Sequence, residues 1–140
     1  MNSFSERHVV VLVDDEPEVL SALFRSLRRE PYRVLATSDP ERALRGVEDR
    51  DVSVVITDQR MPAMEGTDLL GRVLERSPRT ARVVLTAFAR STGQTPGLRR
   101  SIDCLIEKPW DDAMLRKTIR DFLREREGEG VAEPEIRALR

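Results

Sequence analysis

Cysteine, lysine and any surplus of one charge are what this chain of 140 residues has least of. Its single cysteine, Cys104, excludes an internal disulfide and suits a reducing cytoplasm. Set between Asp103 and Leu105, it reads as a buried strand thiol rather than a redox group. A formal charge of −1, from 24 basic and 25 acidic residues, leaves no electrostatic footprint for nucleic acid or an anionic membrane. Any DNA contact would have to come from another chain or a further domain. No stretch approaches the roughly 18 apolar residues of a membrane span, and residues 1–8 hold no apolar signal core, so a soluble, cytoplasmic chain is expected. Lysine occurs only at Lys108 and Lys117, which makes a lysine beside a site of chemistry a marked position. One domain fits this length, burying about two thirds of its unfolded surface, and a second full domain does not.

What is there is a regular alternation. Three short, β-branched, wholly apolar runs, His8–Val13, Val52–Thr57 and Arg82–Thr86, read as buried parallel strands. Tyr32–Ala36 and Cys104–Glu107 supply two more. Between them lie amphipathic helices. Pro17 opens the first, with Val19, Leu20, Leu23, Phe24 and Leu27 at helical spacing and Arg25, Arg28 and Arg29 opposite. Ser38-Asp39-Pro40-Glu41 is a cap followed by proline, feeding Ala43, Leu44 and Val47. Thr67–Leu74 forms the third, stopped by Pro78. Asp111 caps the last, whose expected inner face is Ala113, Met114, Leu115, Ile119, Phe122 and Leu123. Five β–α units with short connections predict an α/β fold, a doubly wound five-stranded parallel sheet of order 2-1-3-4-5.

Two segments depart from regularity. Arg90 to Leu98 stands where the fourth helix belongs, yet one interior proline and two glycines cost about 5 kcal/mol relative to alanine. A shortened, irregular helix is predicted, starting near Pro96 with Thr95 as cap and preceded by a mobile loop. From residue 126 the chain turns charged and glycine-rich, so 7–125 is the expected domain and 126–140 a linker or flexible tail.

The chemistry sits at the strand ends. In the order 2-1-3-4-5 the first and third strands are neighbours at the switch point, which brings Asp14 and Asp15 to Asp58 although more than forty residues separate them. An aspartate carboxylate can attack phosphorus and become an acyl phosphate when the donor is held in line and its charge neutralised. Asp58 is the candidate nucleophile. Three converging carboxylates repel one another unless a cation joins them, and Mg²⁺ suits Asp15, Asp58, Asp14 through water and the backbone carbonyl of Arg60. Glu16 reads as part of the helix start rather than a ligand. Lys108 offers a point charge for one phosphoryl oxygen, and Pro109 can turn the chain through a cis peptide. Thr86 offers a hydroxyl.

V-L-V-D-D-E-P at 11–17, I-T-D-Q-R-M-P at 56–62, L-T-A at 85–87 and E-K-P-W at 107–110 occur in the order found in one family. Over residues 7 to 125 the chain resembles the receiver domain of two-component response regulators. The resemblance implies phosphorylation of Asp58 by the phosphohistidine of a histidine kinase or phosphotransfer protein, Mg²⁺ dependence, and self-catalysed phosphorylation and dephosphorylation rather than enzymatic turnover. It also implies signalling to an output domain or downstream protein through the face of the fourth helix, fifth strand and fifth helix, where a homodimer could form. Departures are visible too. Leu105 stands where many receivers carry a switching Tyr or Phe, and the fourth helix is altered. Arg60 and Phe88 occupy positions that flank the phosphoryl group in the family, where they would tune its lifetime. Two alternatives stay open: a degenerate receiver that binds partners without phosphate, and a phosphohydrolase of the haloacid dehalogenase type. The latter expects a D-x-D pattern after the first strand, which Asp14-Asp15-Glu16 does not provide.

Overall fold

The computed structural model describes residues 7–93 and 98–128. Along the chain run β1 (Val9–Val13), α1 (Pro17–Leu27), β2 (Arg33–Thr37), α2 (Pro40–Asp49), β3 (Val54–Asp58), α3 (Gly66–Arg76) and β4 (Ala81–Thr86), then α4 (Ala89–Gly93), α5 (Leu98–Ser101), β5 (Cys104–Glu107) and α6 (Asp112–Glu127). The strands form one parallel sheet in the order β2-β1-β3-β4-β5, as the alternation predicts.

Both faces of the sheet are covered, which is why β1, β3 and β4 are buried on nearly every residue rather than on alternate ones. Side chains of a strand point alternately to the two faces. Val10, Leu12, Val54, Ile56, Val83, Leu85, Cys104 and Ile106 meet Leu23 and Leu27 of α1 and Leu115, Ile119, Phe122 and Leu123 of α6. Their neighbours Val9, Val11, Val13, Val55, Val84 and Leu105 meet Ala43, Leu44 and Val47 of α2 and Leu69, Leu70 and Val73 of α3. Asp39 caps α2 by accepting from Glu41 N at 3.0 Å, and Asp111 caps α6 by accepting from Met114 N at 2.8 Å.

Several expectations are corrected. Phe24 and Met114 are 40% and 37% exposed, and Ala113 is exposed as well. The buried stripe of α6 runs 115, 119, 122, 123, one helical face, and the first turn lies off it. Ala89–Gly93 is helical where a loop is predicted. Thr92 is buried there, its hydroxyl 3.3 Å from that of Thr86, so tertiary contact outweighs weak propensity. α5 is tied to β4 by Arg82, whose Nε donates to the Ser101 carbonyl at 3.0 Å and whose guanidinium pairs with Asp103. The expected cap Thr95 and start Pro96 lie outside the described residues. α6 continues to Glu127, two residues past the expected boundary at 125. Its last turn is held by Arg126 on Asp51 and on the Arg79 carbonyl, and by Glu127, whose Oε2 lies 2.8 Å from His8 Nε2. Those partners come from distant parts of the chain, where no local pattern announces them.

The hydroxyl of Tyr32 is buried with no hydrogen-bond partner among the described residues, and burial raises its pKa above the ordinary tyrosine value. A polar group in that position costs its full desolvation. Tyr32→Phe should raise stability by about 1 kcal/mol, read as a higher urea midpoint at unchanged slope. A lower midpoint would mean that the hydroxyl is satisfied in solution.

Candidate functional site

Asp14 follows β1 directly and Asp58 ends β3, and the two strands are neighbours with Val13 opposite Thr57. The carboxylates therefore meet at the carboxyl edge of the sheet, the crevice where open α/β sheets do their chemistry. Asp14 is 0% and Asp58 7% exposed, while Asp15 is open to solvent. One carboxylate oxygen from each of Asp14, Asp15 and Asp58 lies within 4.8 Å of the others. Lys108, one residue past β5, reaches over from the far side of β4. Its Nζ stands 2.9 Å from Asp58 Oδ1 and 3.4 Å from Asp14 Oδ2. Asp14, Asp58 and Lys108 continue the alternate residues of β1, β3 and β5 that face α1 and α6, so they converge on one side of the sheet edge.

Charge and burial oppose one another here. Burial raises the Asp14 pKa above the ordinary aspartate value, and the hydrogen bond from Glu16 N and the Lys108 charge recover only part of it. Burial pulls Lys108 down, but its hydrogen bond to Asp58 and the charges of Asp14 and Asp58 outweigh that, leaving it above the usual lysine value. Lys108 is thus a firmly held ammonium, and one cation faces three acidic groups. Carboxylate oxygens in that surplus, with Asp15 exposed for water to complete the shell, fit a hard divalent cation.

The local chain makes Asp58 stiff. Its carbonyl oxygen is so near Gly66 that a Cβ there would lie 2.3 Å away. Gln59, the next residue, accepts from two successive amides of α3: its backbone carbonyl from Gly66 N at 2.8 Å and its side-chain oxygen from Thr67 N at 2.9 Å. The turn that carries Arg60 and Met61 is closed from both ends. Neither the Gln59 clasp nor the close approach at Gly66 is read from the sequence, where Gly66 registers only as a turn glycine.

Thr86 ends β4 fully buried, with its hydroxyl turned toward Thr92 and accepting from Phe88 N at 3.0 Å. It shares the parity of Val84, which faces α2 and α3, the opposite parity to Asp14, Asp58 and Lys108. Arg60 is exposed, its guanidinium 4.3 Å above the ring of Phe88. Leu105 is buried against Val84, Ile102 and their neighbours. Lys108–Pro109 is cis, as the sequence allows. Among the described residues no helix is long and apolar enough to cross a membrane.

Comparison with known proteins points to one family and one fold. The family model of the response regulator receiver domain matches residues 10–120. The hydrogenase transcriptional regulatory protein HoxA of Cupriavidus necator is 37% identical over 112 residues, covering 79% of this chain and 23% of its own. The transcriptional regulatory protein CpxR of Klebsiella pneumoniae is 34% identical over 115 residues, covering 82% of this chain and 49% of its own. The chain therefore spans less than half the length of either relative. A crystal structure of the signal receiver domain of an HD domain-containing protein from Pseudomonas fluorescens is 28% identical, with a TM-score of 0.83, covering 95% of this chain and 98% of that one.

Proposed function

The chain belongs to the response regulator receiver domain family of two-component systems, and from that premise we propose that Asp58 is the carboxylate that takes up the phosphoryl group. A carboxylate oxygen of Asp58 attacks phosphorus, the new O–P bond forms as the bond to the donor breaks, and the donor nitrogen of a phosphohistidine leaves. Lys108 neutralises one phosphoryl oxygen from its place beside Asp58 Oδ1. Thr86 supplies a hydroxyl for another, once it exchanges its present partners Thr92 and Phe88 N for the phosphoryl group. Asp14, Asp15, Asp58 and the Arg60 carbonyl would hold Mg²⁺, which when bound offsets the charge shared between the acceptor and the incoming group. The observation that carries the proposal is the meeting of three carboxylates and the Lys108 ammonium at one sheet edge.

The partner is a histidine kinase or phosphotransfer protein in the cytoplasm, and the receiver passes its state to an output domain or a separate protein. The receiver unit is residues 7–125, carried by α6 to Glu127, with 126–140 as a linker or tail. Incubation with acetyl phosphate and Mg²⁺ should add one phosphoryl group per chain by intact mass, without sustained release of inorganic phosphate beyond decay of that label. A chain that stays unlabelled would be a phosphate-silent binding module, and rapid multiple turnover of phosphate esters would make it a phosphohydrolase.

Arg60 and Phe88, at the positions that flank the phosphoryl group in this family, stack on one another, and we propose that the stack limits the hydrolytic water. Replacing both, Arg60→Asn with Phe88→Glu, removes the stack and changes its charge. The rate of label loss after donor removal should shift by about fivefold, the scale of one stacked cation of about 1 kcal/mol. An unchanged decay would show that the stack does not control that water.

A further inference from the structure

We propose that Trp110 is a positioning residue for Lys108, acting through a hydrogen-bonded junction with Ser26 of α1 and Asp112 of α6; the proposal rests on the assignment of Asp58 as acceptor. Lys108 serves that chemistry only if its ammonium stands where a phosphoryl oxygen arrives, yet it sits on an exposed connection after the edge strand. On its amino side the backbone is fixed, because Lys108 N donates to the Thr86 carbonyl at 2.8 Å. On its carboxyl side comes Pro109, exposed and without an N–H to donate. The next group able to pin the chain is the indole of Trp110. Its Nε1 donates to Ser26 Oγ at 3.0 Å and to Asp112 Oδ1 at 3.1 Å, and Ser26 Oγ donates to Asp112 Oδ1 at 2.6 Å. The ring itself is half-buried against the apolar cluster shared by α1 and α6.

A closed triangle of three side chains therefore holds the connection between β5 and α6 against α1, two residues from the lysine. α1 and α6 do not need it to stay together: Arg120 of α6 grips Glu30, just beyond α1, through two hydrogen bonds of 2.8 and 2.6 Å, well away from the connection. The triangle is placed to set Lys108 rather than to join the helices, and displacement of a charge-neutralising group by about 1 Å can cost up to about a hundredfold in rate.

The experiment compares labelling rates of the full chain with acetyl phosphate across a Mg²⁺ series. Trp110→Phe removes the indole donor and Ser26→Ala its buried acceptor, while Glu30→Gln weakens a separate tie on the same side of the molecule, from α6 to the residue beyond α1. Both junction variants should be labelled about tenfold more slowly at saturating Mg²⁺, with the half-saturating Mg²⁺ concentration unchanged because Asp14 and Asp15 are untouched. Glu30→Gln should stay within about twofold of the wild type, as expected of a tie that does not reach Lys108. Labelling of Trp110→Phe and Ser26→Ala at the wild-type rate would overturn the proposal, and so would an equal slowing in Glu30→Gln, which would reduce the triangle to a helix staple. If the wild type itself takes no label, it is the assignment of Asp58 that falls.

Discussion

Asp58→Asn should abolish labelling by acetyl phosphate and Mg²⁺, while the wild type gains one phosphoryl group. Asparagine keeps the shape of the side chain but has neither a nucleophilic oxygen anion nor a charge to hold the cation. Its environment argues that little else changes. Asp58 is 7% exposed at the end of β3, and Gln59 after it is fixed on both sides, its N donating to the Leu85 carbonyl and its carbonyl accepting from Gly66 N, so the backbone has no reason to move. Lys108 keeps Asp14 as a partner. The far-UV spectrum and the unfolding midpoint should therefore stay close to wild type while phosphoryl uptake goes from stoichiometric to none. The wild-type label should be released by hydroxylamine, which cleaves acyl phosphates. A label that survives hydroxylamine, or one that appears on the asparagine variant, would place the acceptor elsewhere.

Gly66→Ala is expected to damage both stability and chemistry. A Cβ at this position meets only backbone: the Asp58 carbonyl oxygen at 2.3 Å, and Asp58 C and Gln59 Cα at 3.0 Å. No flexible side-chain end can yield, so either α3 lifts from the sheet or the end of β3 is pushed aside. Overpacking of this kind costs about 3 kcal/mol. The same displacement moves Asp58 relative to Lys108, so labelling should slow by at least about tenfold. Gly46→Ala is the natural contrast. A Cβ at Gly46 meets nothing within 4 Å, in the interior of α2, and alanine should stabilise that helix by about 1 kcal/mol. Equal midpoint shifts of the same sign in the two variants would show that the contact at Gly66 is relieved in solution.

Much of this arrangement was legible before any coordinate. The runs at β1, β3 and β4 are apolar on nearly every central residue because helices cover both faces, and that pattern is visible one strand at a time. Pro17, Asp39-Pro40 and Asp111 mark helix starts by local chemistry alone. Phe24 and Met114 lie exposed although helical spacing places them on the inner face, because hydrophobicity alone does not fix burial and exposed apolar residues are ordinary on a protein surface. The segment from Ala89 to Gly93 departs from expectation for the opposite reason: weak propensity is overruled by Thr92 packing beside Thr86. The clasp of Gln59 on α3 and the junction of Trp110, Ser26 and Asp112 have no periodic trace, since each joins residues whose separation in sequence is arbitrary.

The order of residues along the chain was sufficient to determine the five strands and the helices that carry caps, how the parallel strands are arranged and which carboxylates share an edge, because strand burial, helix caps and right-handed crossovers are local or topological rules. Which side of that edge each group occupies was decided only by the folded molecule. Asp14, Asp58 and Lys108 share one strand parity and touch, whereas Thr86 has the other and turns to Thr92. Side-chain direction depends on the register of neighbouring strands and on the loops that end them, and those are set when the helices pack onto the sheet.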